Sequence, residues 1–284
     1  MKKIGAGRTA EVYDYKDDKV LKLFYSAFST NIIEDEYLIA KNISTTTSLV
    51  PKVYDIVHTR NRTGIVYEKI KGEMLSDYLS GNIISTRKII RKFVQTQKRI
   101  SNINVENVPN HTDKLRQKIT SSCLLSDSEK EIVLKYLSII NNNELCHGDY
   151  HPENVFVDQN HDFKVIDWAN MFVSNKYLDI ARTYYLIKSG QSLNGKTKLG
   201  SLIEWFGRQI IAKLYWEEVK AEEGRKEYFL PCLFIVIITR YDENIEQEKK
   251  RIYNYVRKNK EKMLKTMDVR EGVNWQVTMP SRKN

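Results

Sequence analysis

The chain opens in alternating, strand-like patterning and passes into helical patterning. Ile4 to Tyr13 holds the turn Gly5-Ala6-Gly7 and then an alternating segment, and Asp17-Asp18 is a natural hairpin turn into Lys19-Val20-Leu21-Lys22-Leu23-Phe24. Ser29 to Ala40 offers capping residues and then apolar residues at helical spacing, which predicts a helix. Val50 to Ile56 and Gly64 to Ile70 read as two more strands, after which Lys71-Gly72-Glu73 breaks the pattern. From Met74 onward the spacing is mainly helical. Ser85 to Ile103 carries Ile89, Ile90, Phe93 and Val94, while Ser126 to Asn142 opens with the capping box Ser126-Asp127-Ser128-Glu129. Tyr177 to Tyr185 begins another helix, and residues 200–220, 225–241 and 243–267 read as three more, the last polar on most of its circumference. Asn274 to Asn284, with Pro280 and a basic end, reads as a loose tail.

One stretch interrupts the helical part. Cys146 to Asn154 is polar, Val155-Phe156-Val157 is apolar, Asp158 to Asp162 is rich in turn residues, and Phe163 to Trp168 is again mostly apolar. This predicts a loop, a strand, a turn and a second strand. Such a hairpin presents Asp149 and Asn154 at its mouth and brings Asp167 back beside them. Two carboxylates and an amide then converge, which is what magnesium-dependent phosphoryl transfer requires: one carboxylate accepts the proton of the attacking hydroxyl, and an Asn oxygen and a second Asp hold the metal. The spacing His147-x-Asp149-x-x-x-x-Asn154 reproduces the frame of the kinase catalytic loop, with Gly148 where protein kinases carry Arg. A polar hairpin with acidic turn residues is the plain alternative, and the six matched positions with the trailing hairpin weigh against it.

Two features of the N-terminal strands extend this reading. Gly5 and Gly7 form a flexible turn whose backbone N–H groups can lie against phosphates; many turns contain Gly-x-Gly, and Ala10 stands where the kinase signature has a third glycine. Lys22 lies between Leu21 and Leu23, placed after the glycine turn and one hairpin to reach the α- and β-phosphates of ATP.

His-Gly-Asp-x-x-x-x-Asn followed by Ile166-Asp167-Trp168 resembles the aminoglycoside phosphotransferase and choline kinase family. The resemblance implies an α+β, two-lobed protein-kinase-like fold. Residues 1–70 would form a small antiparallel β lobe that binds nucleotide. Residues 71–284 would form a larger helical lobe with the catalytic loop and the acceptor site. It further implies that Glu36 is the partner of Lys22, with Glu34 as the alternative, and that the backbone of Glu68 and Ile70 meets the adenine edge at a hinge. Asp179 would steady the catalytic loop, although an acidic residue near a helix start also fits the helix dipole. Trp168-Ala169 replaces the Phe-Gly of protein kinases, in agreement with this family.

Composition narrows the partners. With 284 residues, 41% hydrophobic and 29% charged, the chain is long enough for two lobes and ordinary for a soluble globular protein. No apolar stretch follows the basic first residues to make a signal peptide, and Tyr228 to Thr239 is too short for a bilayer. Cytoplasmic location and no membrane partner are expected. Three distant cysteines, Cys123, Cys146 and Cys232, indicate neither a disulfide framework nor a zinc motif. The net charge of +10 is spread along the chain, so a basic surface that favours anionic nucleotides is expected in preference to nucleic-acid binding.

The expected activity is transfer of the ATP γ-phosphate, with Mg2+, to a hydroxyl of a small molecule. Asp167 and Asp179 are only twelve residues apart and no Ala-Pro-Glu occurs, which leaves no peptide-docking segment of protein-kinase type. A nucleotide-binding regulator without turnover and a kinase acting on proteins are the alternatives. For a cationic acceptor, Glu217, Glu218, Glu222 and Glu223, with Trp205, Phe206, Tyr215 and Trp216, could supply charge and aromatic faces; a solvated helix face and core aromatics are the plainer reading.

Overall fold

The computed structural model describes residues 1–59, 61–105, 112–190, 198–223 and 226–268. Strands β1 (Lys3–Ala6), β2 (Ala10–Tyr15), β3 (Lys19–Phe24), β4 (Val53–His58) and β5 (Thr63–Glu68) form one antiparallel sheet in the order β1-β2-β3-β5-β4. Asp17 and Asp18 close the β2–β3 hairpin at φ 51° and 56°, a left-handed conformation that Asp tolerates better than most side chains. The period of two in β3 sorts its side chains onto two faces. Leu21 and Leu23 pack with Val66 on one face, while Phe24 joins Ala10, Ile33, Ala40, Val53 and Ile65 beneath helix α1 (Thr30–Thr46) on the other. Lys22 has the parity of Phe24, so its side chain is directed to the helix side.

The chain then enters the helical part. The break at Lys71-Gly72-Glu73 turns out to be a strand: β6 (Gly72–Met74) pairs with β8 (Val155–Asp158), which pairs with β9 (Phe163–Val165). A Cβ at Gly72 would lie 2.1 Å from the carbonyl oxygen of Val157, so the glycine that reads as a breaker permits this close pairing. Helices α2 (Leu75–Gly81), α3 (Thr86–Ser101), α4 (Thr112–Ser121) and α5 (Asp127–Ile139) follow, α5 with its capping box formed at Ser126 and Glu129. Two short strands, β7 (Glu144–Cys146) and β10 (Phe172–Ser174), pair antiparallel on either side of the catalytic stretch. Helices α6 (Lys176–Ser189), α7 (Lys198–Glu223), α8 (Phe229–Tyr241) and α9 (Glu246–Met267) complete the described chain. The expected tail at 274–284 lies outside the described residues.

Helix α8 is buried nearly all round, from Phe229 to Arg240, which its run of Leu, Ile, Val and Phe dictates. Pro231 falls in its first turn, where the missing N–H would have had no helical partner. Cys146 and Cys232 are buried in the same core as Phe93, Tyr150 and Trp168. No helix among the described residues is long and apolar enough to cross a membrane.

The carboxylates considered for a cationic acceptor are committed to packing. Glu218 is buried and accepts from Arg87 and Arg91, both at 2.9 Å, and Glu217 lies 3.8 Å from Arg87. Glu222 pairs with Lys98 at 3.2 Å, and Glu223 with Lys176 at 2.6 Å. Tyr215 is buried with its hydroxyl on Gln97, and Trp216 stacks on Phe229 at 3.8 Å. In the C-terminal half of α7, Ala212, Tyr215 and Val219 pack into the core, Glu217, Glu218 and Glu222 face Arg87, Arg91 and Lys98 of α3, and Glu223 faces Lys176 of α6, whereas Trp205 and Phe206 nearer the start of the helix are exposed. These pairings give Glu218, Glu222 and Glu223 a packing role in place of the cation-pocket reading, while Glu217 has only the 3.8 Å approach of Arg87. Glu218→Gln is expected to lower the free energy of unfolding by about 1 kcal/mol through loss of one charge-assisted contact. Urea unfolding measures it, and an unchanged midpoint would mean that the pairs contribute nothing.

Candidate active site

The two halves meet at Lys22. Its Nζ donates to Glu36 Oε1 at 2.6 Å and to Asp167 Oδ1 at 2.9 Å. Glu36 is buried on the inner side of α1, whereas Glu34 is exposed, so it is Glu36 that the helix turns toward β3. Burial works against the ammonium, but Glu36 and Asp167 together raise the Lys22 pKa above its ordinary value and keep it charged. The Lys22 ammonium, in turn, holds the Asp167 carboxyl below the usual carboxylate range. Strand β9 is shorter than its apolar pattern predicts, ending at Val165. Asp167 sits beyond it at φ 65° and ψ 64°, a left-handed position that turns the chain into the 3₁₀ turn Trp168–Asn170.

The stretch that carries Asp149 lies between β7 and β8 and is fastened at three points. First, His147 is fully buried, and burial pushes its pKa below the ordinary value, so the ring is neutral. Its Nε2 stands 3.0 Å from the Ile166 carbonyl, which can only accept, so the ring proton is on Nε2 and Nδ1 accepts from the Asp149 N–H at 3.2 Å. One imidazole thus spans from the residue before Asp167 to Asp149 itself. Second, Gly148 adopts φ 78° and donates its N–H to Asp179 Oδ1 at 2.7 Å. Asp179 also accepts from Gln97 of α3 at 2.8 Å, and Tyr215 donates to Gln97 at 2.6 Å. Third, Asn154 Nδ2 donates to the Asp149 carbonyl at 2.9 Å, while the Ile166 N–H donates to the Asn154 carbonyl at 3.0 Å.

Asp149 itself is almost buried. Desolvation would raise its pKa, yet the His151 ring, 3.7 Å away, and the Arg182 guanidinium, 3.2 Å from Oδ1, hold the carboxyl well below the usual carboxylate range. Asp149 is therefore ionised at neutral pH. Arg182 was not singled out from the sequence. The signal was present: a cation three residues after Asp179, one helical turn along an otherwise mostly apolar segment, shares the face of Asp179.

The remaining predicted positions sit at the edges. Gly5 lies in β1, opposite Val12, and Gly7 closes the hairpin by donating to the Ala10 carbonyl at 2.8 Å. A Cβ at either glycine would meet nothing nearer than 3.7 Å, so the loop leaves room beside its backbone. Glu68 ends β5 with its N–H on the Lys52 carbonyl at 2.8 Å, and Lys69 donates its N–H to the Asp18 carbonyl at 2.9 Å. Among the described residues, Ile70 makes no backbone hydrogen bond.

A family model for phosphotransferase enzymes matches residues 1–199 of the chain. The chain belongs to the phosphotransferase enzyme family. Members of this family are small-molecule phosphotransferases, and the protein is an enzyme of that kind. No curated protein matches it in sequence. Among solved structures, it is similar to a thermostable mutant of the aminoglycoside phosphotransferase APH(4)-Ia bound to ADP and hygromycin B. That match has 12% identity and a TM-score of 0.56 and covers 93% of this chain and 92% of that one. A second is the gentamicin complex of APH(2")-IIa, at 15% identity and a TM-score of 0.53 over 94% and 90%. A third is the choline kinase LicA from Streptococcus pneumoniae, at 12% identity and a TM-score of 0.52 over 94% and 92%. These likenesses show the protein-kinase-like fold of the phosphotransferase family, an antiparallel-sheet lobe joined to a helical part.

Gly148→Ala should distort the loop, because its Cβ would fall 2.1 Å from the Asn170 carbonyl oxygen in a backbone conformation that L side chains rarely adopt. A loss of more than about 2 kcal/mol in unfolding free energy is expected. Thermal unfolding of the purified variant at the wild-type temperature would show that the backbone can yield.

Proposed function

We propose that the enzyme transfers the γ-phosphate of ATP to a hydroxyl of a small molecule, with Asp149 accepting the proton of the attacking hydroxyl. The observation that carries this reading is the convergence of Lys22, Glu36 and Asp167 in one ion cluster, beside a loop whose buried carboxylate, Asp149, is kept ionised. Phosphoryl transfer passes through a loose transition state and leaves little covalent work for the protein. Its residues need to orient the hydroxyl, stabilise charge and take a proton late. A carboxylate of low basicity suits that task, because it holds the hydroxyl as a hydrogen-bond acceptor throughout and becomes a proton acceptor only as the hydroxyl grows acidic.

The donor set fits Mg2+. One ammonium and two carboxylates leave the Lys22, Glu36 and Asp167 cluster with a formal charge of −1. The Asn154 amide nitrogen is used on the Asp149 carbonyl, so its oxygen remains as a ligand, and only one oxygen of Asp167 is engaged by Lys22. Magnesium takes one or two protein oxygens and completes its shell with phosphates and water, so Asn154 and Asp167 suffice. When bound, the ion neutralises charge on the β- and γ-phosphates. Lys22, positioned by Glu36, serves the phosphates from the other side, the end of β1 at Gly5 and the turn at Gly7 lie over them, and the backbone at Glu68 and Ile70 offers the adenine edge its partners.

The acceptor is a small hydroxylated molecule, aminoglycoside-, choline- or sugar-like. Aminoglycosides appear beside two of the neighbouring enzymes and a third is a choline kinase. The pairing of Glu218, Glu222 and Glu223 with basic residues weighs against their selecting a polycation. An ATP-consumption screen over hydroxylated amines, sugars, nucleosides and aminoglycosides identifies the acceptor, and turnover that no member of the panel raises above the slow background of transfer to water would count against the reading.

Asp149→Asn should retain nucleotide binding and lower turnover about 10²–10⁴-fold; turnover at the wild-type rate removes Asp149 from the proton-accepting role. Lys22→Ala should raise the half-saturating ATP concentration, Glu36→Gln should raise it less, and the double variant should fall short of the summed effects because both changes disable one unit. Strictly additive losses would show that the pair does not act together on the nucleotide.

A further inference from the structure

Arg182 stands on α6 one turn after Asp179 and links Asp149 to the far side of the helical part. Its Nη2 lies 3.2 Å from Asp149 Oδ1, and its Nη1 lies 2.7 Å from Glu243 Oε1. Glu243, in the turn between α8 and α9, is shared with Arg240. Arg240 donates through Nε to Glu248 of α9 at 3.0 Å, and the Tyr185 hydroxyl donates to the same carboxylate at 2.8 Å. Lys118 of α4 approaches Glu243 at 3.7 Å. Charges therefore alternate along one line, buried at Asp149, Arg240 and Glu248 and partly buried at Arg182 and Glu243.

This arrangement divides the two oxygens of Asp149. Oδ1 is taken by Arg182, whereas Oδ2 has only Asn154 Nδ2 at 3.5 Å and the His151 ring at 3.7 Å. A guanidinium is a planar, rigid fork, so a carboxylate on each Nη fixes the orientation of both. We propose that Arg182 is the positioning residue of phosphoryl transfer: it holds Oδ1 so that Oδ2 is presented to the attacking hydroxyl, and Glu243 holds Arg182 in that orientation. The proposal rests on the reading of Asp149 as the proton acceptor. A purely structural role explains less, since exchanging a buried ion pair for packed apolar groups is often neutral for stability.

The test uses the full chain and MgATP, with transfer to water as the reaction measured. Wild type, Asp149→Asn, Arg182→Ala, Arg182→Lys and Glu243→Gln are compared for kcat, for the KM of MgATP and for thermal midpoint. Arg182→Ala should lose on the order of 10²-fold in kcat, as misplacement of a reacting group does, with the KM of MgATP essentially unchanged. Added guanidinium ion at millimolar concentration should recover part of the Arg182→Ala rate and none of the Asp149→Asn rate. Arg182→Lys, lacking the second arm of the fork, and Glu243→Gln should each lose a smaller factor in kcat alone. A folded Arg182→Ala with wild-type kcat, or with a loss carried by KM or deaf to guanidinium, overturns the proposal. If Arg182→Ala does not fold, wild-type kcat in both Arg182→Lys and Glu243→Gln overturns it. Wild-type turnover by Asp149→Asn would instead remove the parent reading, a result distinct from any of these.

Discussion

The enzyme is built about a desolvated ammonium. Lys22 is taken largely out of water, which on its own would drive it neutral; it stays charged because one carboxylate reaches it from α1 and another from the far side of β9. Both must be present, since removing one partner of a buried charge costs more than the pair contributes. That requirement spans 145 residues of chain and joins the five-stranded sheet to the catalytic hairpin. The location of α1 over the sheet, the parity of Lys22 in β3 and the left-handed backbone of Asp167 all serve this one contact.

Around Asp149 a different economy operates. Its loop has almost no regular structure of its own, and it is held by its own neutral His147, which reaches the Ile166 carbonyl, and by Asp179 on α6, which accepts from Gly148 and from Gln97 on α3. Each of these groups lies in the core, where few alternative geometries exist. The loop thus inherits rigidity from helices it does not belong to. Site residues drawn from loops can be as well placed as residues on strands when their partners are buried.

How much of this was legible in the sequence depends on whether the deciding physics is local. The strands β2 and β3, the hairpin at Asp17-Asp18, the capping box of α5 and the loop–strand–turn–strand around Asp149 all follow from short-range patterns. The spacing from His147 to Asn154 marked the loop that lies beside the Lys22 cluster. Strand β6 was hidden because Gly72 reads as a breaker, and only the close approach of the Val157 carbonyl, 85 positions away, makes glycine necessary there. β7 and β10 are three residues each, too short to show a period. The glutamates of α7 misled for a related reason: a run of acidic residues says nothing of the basic face of α3 that it meets. Arg182 was overlooked because its importance comes from Glu243, in a turn 61 residues on.

The pairing of β6 with β8 has a mechanical consequence. The strand that leaves the sheet lobe is stitched within three residues to the hairpin carrying Asn154, from Gly72 opposite Asp158 to Met74 opposite Phe156. On the other crossing, the Val165 N–H donates to the Leu49 carbonyl and Lys164 reaches the Ser48 carbonyl. Between these stitches, the Lys69 N–H donates to the Asp18 carbonyl and the Lys71 ammonium to the Asp18 carboxylate. The hairpin that carries Asn154 is thus stitched along both of its strands, β8 to the segment that leaves the sheet and β9 to the segment between α1 and β4, so that both crossings of the chain are braced by one hairpin.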